Sequence, residues 1–399
     1  MNPNVSDHIK VLSQSATLAM AQKIAEFKAK GIDIINFSVG EPDFNTPDHI
    51  KKAAEKAINE NWTKYTPVPG LMSLREAICG KLQRENGLTY SPQEILVSNG
   101  AKQSVCNAIL SLVSPGDEVV IPAPYYVSYP QMVNLAGGKS VFVNATIETG
   151  FRITPEQLES SITPKTKLVI LCTPNNPTGV VYSKEELEGM AQVILSHDNV
   201  FVISDEIYEH LNYVGSHYSI ASIPGMRERT IVVNGVSKAY AMTGWRIGFI
   251  AAPKWIVDAC NVLQGQYTGN AGSVSQKAAE AAWNGEQKSV EEMRKVFQKR
   301  RDLMVSLVRE IPGFDVYEPE GAFYVFPKCD SYFGKSYKGK VMTSSSDLAM
   351  FLLEEGHVAV VTGDAFGAPG YIRLSYATSE ALIEEGLGRL RKVLSKLEI

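Results

Sequence analysis

Apolar residues fall into two registers along this chain. From about residue 46 onward, seven short segments are rich in Val, Ile and Leu: EILVSNG, DEVVIPAP, KSVFVNA, KLVILCTPNNP, NVFVISDE, TIVVNGVSK and IGFIAAP. Several are nearly continuous, without the polar alternation of a strand wetted on one side, which predicts strands buried on both faces. Between most of them lie helix-period patterns such as Lys184 to His197. Strands alternating with helices predict an α/β architecture, a largely parallel sheet with helices on both faces.

The pattern changes at the two ends of the chain. A helical pattern from Leu18 to Lys30 stops at Gly31, and the apolar run Ile32 to Val39 stops at the turn GEPDFNTP. After Trp283 comes a long amphipathic stretch, Val290 to Glu310, then strand patterns at GAFYVFP and VAVVTGDAFG…YIRLSYAT, then a helix from Glu380 to Leu397. Residues 334–346, GKSYKGKVMTSSS, read as a polar loop. The expected division is a large domain over 46–285 and a smaller α+β domain made from 1–45 and 286–399.

Composition narrows the function. The 399 residues are 44% hydrophobic and 21% charged with a formal net charge of -4, and the charges are interspersed. No basic tract points to nucleic acid. No apolar run approaches the length of about 18 residues that would span a membrane, and MNPNVSDHIK has no signal-like apolar core. Cys79, Cys106, Cys172, Cys260 and Cys329 have neither zinc-site spacing nor a disulfide framework, so a cytoplasmic location is expected.

The unusual polar groups sit where the predicted strands end, and in open α/β sheets ligands bind beyond the carboxyl ends of the strands. One strand ends in Ser98-Asn99-Gly100-Ala101-Lys102 and another in Tyr125-Tyr126. A third ends in Asn175-Asn176-Pro177-Thr178-Gly179, a fourth in Asp205 with Tyr208 close behind, and a fifth in Ser237-Lys238. Each has a plainer reading. SNGAKQ is also a turn and helix cap, NNPTG a turn, Asp205 an N-cap, Tyr126 packing, Arg246 a helix-flank or interface charge and Arg373 a surface ion pair. Ser15 and Thr17 are N-cap candidates for the helix that follows.

Taken together, the set supplies what pyridoxal 5'-phosphate requires. Its aldehyde needs an amine, Lys238. Its phosphate needs free N–H groups at a helix start and a cation: Gly100, Ala101, Ser237 and Arg246. Its ring nitrogen needs a carboxylate, Asp205, and its phenolic oxygen needs donors, Tyr208 and Asn176. Its ring face needs an aromatic, Tyr126. Burying a lone lysine costs several kcal/mol unless it is paired or neutralised, and a cofactor that consumes the amine removes that objection for Lys238.

In order along the chain, GEPDF, KYTPVPG, NNPTG, SDEIYEH, the VSK…GWRIG run and RLSYATS resemble the fold-type I pyridoxal-phosphate enzymes, class I aminotransferases. The resemblance is closest to the aspartate aminotransferase subgroup Ib (1β), some of whose members transaminate prephenate. It implies a large cofactor domain with a mostly parallel seven-stranded sheet, a smaller α+β domain, and a homodimer with shared sites. It implies that Tyr65 reaches the phosphate in the neighbouring subunit. Gly40, Asn176 and Arg373, with Tyr126, would bind the substrate's α-carboxylate end. Lys102, at the cofactor-binding turn, would meet the distal carboxylate, helped by Ser15 and Thr17. Other aspartate aminotransferases use a partner arginine in the region matching QYTGNAGSVSQ, where this chain has none. The implied reaction is ping-pong transamination between L-aspartate and 2-oxoglutarate, with Lys238 moving the proton and Asp205 and Tyr208 supporting the cofactor. Prephenate or aromatic transamination is the alternative.

Overall fold

The structure is a computed structural model that describes residue 2, residues 4–13 and residues 16–398, with only the backbone for residues 16 and 17. Each of the seven apolar runs forms a strand of one sheet: β1 (Ile95–Ser98), β2 (Glu118–Ala123), β3 (Lys139–Asn144), β4 (Thr166–Cys172), β5 (Phe201–Asp205), β6 (Thr230–Gly235) and β7 (Gly248–Ala251). Their order is β1-β7-β6-β5-β4-β2-β3. β7 runs antiparallel to both neighbours and the other ladders are parallel.

Burial follows position in the sheet. Every residue of β1, β6 and β7 is buried. KSVFVN instead mixes exposed and partly covered positions: β3 is one edge strand, whereas β1, at the other edge, is covered by helices Met72–Asn86 and Lys254–Tyr267. Leu168, Val169, Ile170 and Leu171 of β4 are at most 2% exposed. Fully burying such a side chain is worth about 1.5–3 kcal/mol, so these runs drive the sheet to the centre of the protein.

The antiparallel β7 has a consequence for the site. After β6 the chain must turn back at the carboxyl edge of the sheet before descending through β7. Ser237, Lys238 and Arg246 all lie in that return, on the edge where β1, β2, β4 and β5 also end.

The second body is built from helix Lys288–Arg309, helix Ser345–Gly356, helix Glu380–Leu394 and a small antiparallel sheet. That sheet holds β8 (Tyr324–Val325), β9 (Val361–Thr362) and β10 (Ile372–Ser375) in the order β9-β10-β8. The N-terminal segment joins it: Ile35–Asn36 pairs in parallel with Val358–Ala359, and Phe37 is buried with Phe297, Phe323 and Leu387. The expected polar loop contains a small hairpin, Ser336–Tyr337 against Lys340–Val341. Lys338 and Gly339 turn it with φ of 49° and 82°, the left-handed pair that a two-residue hairpin turn needs. The predicted helix from Glu380 holds, but ends at Leu394 rather than Leu397.

Candidate active site

One cavity of about 520 Å³ opens at the carboxyl edge of the large sheet. Its walls include Ala101, Lys102, Tyr126, Asn176, Asp205 and Tyr208 from strand ends. Ser237, Lys238 and Arg246 enter from the β6–β7 return, and Gly40 and Arg373 from the second body. Of its charged groups, Lys102, Lys238, Arg246 and Arg373 are cations, and only Glu41 and Asp205 are acidic. That excess of positive charge suits a ligand carrying several anionic groups.

Gly100 is where the phosphate end of the site is shaped. Its φ of 82° is open to glycine, and a Cβ there would overlap the Arg246 guanidinium. The residue caps helix Ala101–Leu112, whose first N–H groups have no intrahelical acceptor. Arg246 is itself held in the left-handed region, φ 57°. It donates to the carbonyls of Thr243 (2.8 Å) and Asn99 (3.2 Å), which pins it beside the helix start.

Lys238 reaches the second body, donating from Nζ to the Gly40 carbonyl. The segment carrying Gly40 is strapped in place. Thr46 donates from Oγ1 to the Ala241 carbonyl at 2.7 Å, Trp245 donates from Nε1 to Thr46 at 3.0 Å, and Arg300 pairs with Asp43 at 2.7 Å. Burial lowers the Lys238 amine from its ordinary 10.5 to about 8, with Glu41 opposing the shift. A lysine so placed is neutral far more often at working pH than a surface lysine.

Asp205 closes β5 and is buried. Burial pushes its carboxyl up to about 6, against hydrogen bonds from the Tyr129 hydroxyl (2.7 Å) and the Ile207 N–H (3.3 Å). Tyr208 shares a 2.8 Å hydrogen bond with the Tyr324 hydroxyl.

Arg373, for which a surface ion pair was the plain reading, is only 2% exposed. Its guanidinium donates to Asn176 Oδ1 and to the Ser38 carbonyl, both at 2.9 Å, and lies 4.3 Å above the Tyr324 ring. Its Nε is buried without a hydrogen-bond partner among the described residues. A buried guanidinium with an unused donor calls for an acceptor, and a carboxylate matches the fork.

Lys102 stands at the mouth, its ammonium 5.6 Å from the centre of the Tyr126 ring. Tyr65 is not in this cavity and is 98% exposed. Ser15 and the Thr17 side chain lie outside the described residues. The sequence reading missed Tyr129, Tyr324, Ser38 and Glu41 as lining groups. Glu41 was within reach of it, being part of the GEPDF turn. Tyr129 and Tyr324 sit inside apolar helix and strand patterns that read as packing.

A lysine, a buried arginine and a buried carboxylate gathered at strand ends are the equipment of an amino-group transferase. Residues 32–390 match the family described as aminotransferase class I and II, and the chain belongs to it. Among its relatives is the probable aspartate/prephenate aminotransferase of Rickettsia bellii, 48% identical and aligned over 98% of this chain and 99% of that protein. The aspartate/prephenate aminotransferase of Cereibacter sphaeroides is 47% identical over 97% of this chain and 98% of that protein. The crystal structure of the aspartate aminotransferase from Rhizobium meliloti superposes with a TM-score of 0.96 at 43% identity, covering 99% of this chain and all of that one. The Thermus thermophilus aspartate aminotransferase with maleate gives 0.92 at 40% identity, over 98% of this chain and 99% of that one. The protein is an aminotransferase of the α/β class.

Proposed function

We propose that this aminotransferase uses pyridoxal 5'-phosphate and moves the amino group of L-aspartate to 2-oxoglutarate, giving oxaloacetate and L-glutamate. The observation that carries the substrate class is the pair of cations on one cavity: Arg373, buried with Nε unused, and Lys102 at the mouth. Two such groups suit a molecule with a carboxylate at each end.

The residues fit the cofactor. The glycine cradle at Gly100 and Ala101, with Ser237 and Arg246, would take its phosphate, and Asp205 its ring nitrogen. Tyr208 and Asn176 would face its phenolic oxygen, and Tyr126 its ring. Asn176 gives its oxygen to Arg373, which leaves its amide hydrogens as the end that donates. When bound, the cofactor supplies an aldehyde that captures amino groups and a protonated ring that draws electrons away from the substrate Cα.

The chain's own residues do the rest. Arg373 and Asn176 hold the α-carboxylate, which sets the Cα–H bond toward Lys238. Neutral Lys238 Nζ takes the substrate's Cα proton and would deliver it to the cofactor's C4' carbon, with the reverse transfer in the second half-reaction, a task suited to an amine near pKa 8. The straps at Thr46 and Asp43 keep Gly40 against Lys238.

Residues 46–285 form the cofactor domain in this reading, and 1–45 with 286–399 the smaller one. The chain works as a homodimer in which exposed Tyr65 completes the partner's phosphate site. All five cysteines are free, which supports a reducing cytoplasm. No helix among the described residues is long and apolar enough to cross a membrane.

Prephenate is the second reading, favoured by the names of the Rickettsia and Cereibacter relatives. Lys102 does not separate the two, since prephenate also has two carboxylates. The test follows the cofactor band in single half-reactions with aspartate, glutamate, arogenate and phenylalanine. Aspartate and glutamate are expected to react at least about tenfold faster than phenylalanine, with Lys102→Ala removing that advantage. Equal rates for all four, or equal loss for phenylalanine in Lys102→Ala, would overturn the dicarboxylate reading. Arogenate as fast as aspartate would make prephenate transamination a physiological contender.

A further inference from the structure

We infer that Tyr129 is the positioning residue that keeps Asp205 ionised and oriented for the cofactor ring. This rests on the reading of the cavity as a pyridoxal-phosphate site.

Asp205 needs help to stay charged. It is buried at the end of β5, next to Glu206, a second carboxylate with no exposure at all. Glu206 is occupied elsewhere, by the hydroxyls of Ser204 (2.8 Å) and Ser219 (2.5 Å) and by His217 at 3.0 Å. Asp205 has one short hydrogen bond, 2.7 Å from the Tyr129 hydroxyl to Oδ2, and one long one, 3.3 Å from the Ile207 N–H to Oδ1. The Tyr129 bond is therefore the one that fixes the plane of the carboxylate.

Tyr129 donates in this contact. Its ring is 2% exposed, and burial together with the facing Asp205 drives the phenol well above its ordinary pKa of 10. The proton stays on the tyrosine, and a donated hydrogen bond favours the anionic carboxylate over the neutral one. The titratable groups around Asp205 are Glu206 and Cys172, which oppose its charge or add none, and Lys238, which favours it.

Tyr129 also touches the other side of the ring site. Its ring meets Tyr126 edge to face, with centroids 5.4 Å apart and planes at 79°. Tyr126 is the side chain expected to stack on the cofactor. One residue thus sets the height of the stacking ring and the direction of the carboxylate. The helix Tyr129–Leu135 begins at this residue, so its backbone is fixed by the fold rather than by the ligand.

Tyr129→Phe removes the hydroxyl and keeps the ring. Titrating the cofactor-free protein with pyridoxal 5'-phosphate, the dissociation constant is expected to rise about ten- to a hundredfold, as for loss of a hydrogen bond to a charged group. Inorganic phosphate binding should stay unchanged, and the melting temperature of the cofactor-free protein should fall by no more than a few degrees. In the holoenzyme kcat should fall while the KM for aspartate holds. In an Asp205→Asn background the same substitution should have little further effect on cofactor affinity. Unchanged cofactor affinity in Tyr129→Phe, or an equal loss in the Asp205→Asn background, would overturn the inference. Failure of the unaltered protein to bind pyridoxal 5'-phosphate would instead overturn the cofactor reading beneath it.

Discussion

Lys238 shows how burial can become chemistry at a single residue. An exposed lysine is protonated until about pH 10.5, whereas Lys238 gives up its proton near 8 because the cavity penalises its charge. Capture of the cofactor's aldehyde needs the neutral amine. The rate at which cofactor-free protein takes up pyridoxal 5'-phosphate should therefore rise with pH, reach half its limit near pH 8 and level off by about pH 9. Stopped-flow absorbance across pH 6 to 10 checks this, and a rise that continues unbroken beyond pH 9 would contradict it. Much at this scale was legible in the sequence, because Lys238, Asp205, Asn176 and Arg246 sit in short polar stretches that interrupt apolar runs. Arg373 was legible as a residue but not as an environment: a strand position does not reveal that Tyr324 and Phe366 will cover it. Tyr129 was not legible at all, since its neighbours in VSYPQMV give a tyrosine there no reason but packing.

The strand ends bring these side chains together, and the turn after β5 is braced by buried charges. Glu209, four residues beyond Asp205, is buried against Lys81 of helix Met72–Asn86, with Asn86 and Asn234 donating to it at 2.8 and 2.7 Å. Burial alone would raise its carboxyl, but Lys81 and the facing His210 and His217 hold it well below the usual range. Replacing Lys81 with Met strands that charge, and the expected cost is about 3–5 kcal/mol. Urea unfolding of the cofactor-free protein measures it, and a loss under about 1 kcal/mol would mean the two asparagines suffice. The number and nature of the sheet strands were plain from the Val, Ile and Leu runs, because strands buried on both faces have no choice of composition. The antiparallel course of β7 was not, because pairing direction depends on where the chain returns and not on the composition of the run. Gly248 records that geometry: a Cβ there would overlap the backbone of Ala101, where the helix start meets β7.

The whole molecule adds what no single strand end supplies. Gly40, Ser38 and Arg373 reach the cavity only because the N-terminal segment and the C-terminal body share one core, with Ile35 paired to Val358. A change of pattern after Trp283 was readable in the sequence, whereas the hairpin in residues 334–346 was hidden by its polar composition. All of this converges on one claim, that the molecule is folded around a cofactor joined to Lys238. Borohydride reduction of the purified protein loaded with pyridoxal 5'-phosphate, followed by peptide mass mapping, tests that claim most directly. The account predicts the reduced cofactor mass on Lys238 alone. Its appearance on Lys102 or another lysine, or on none, would contradict it.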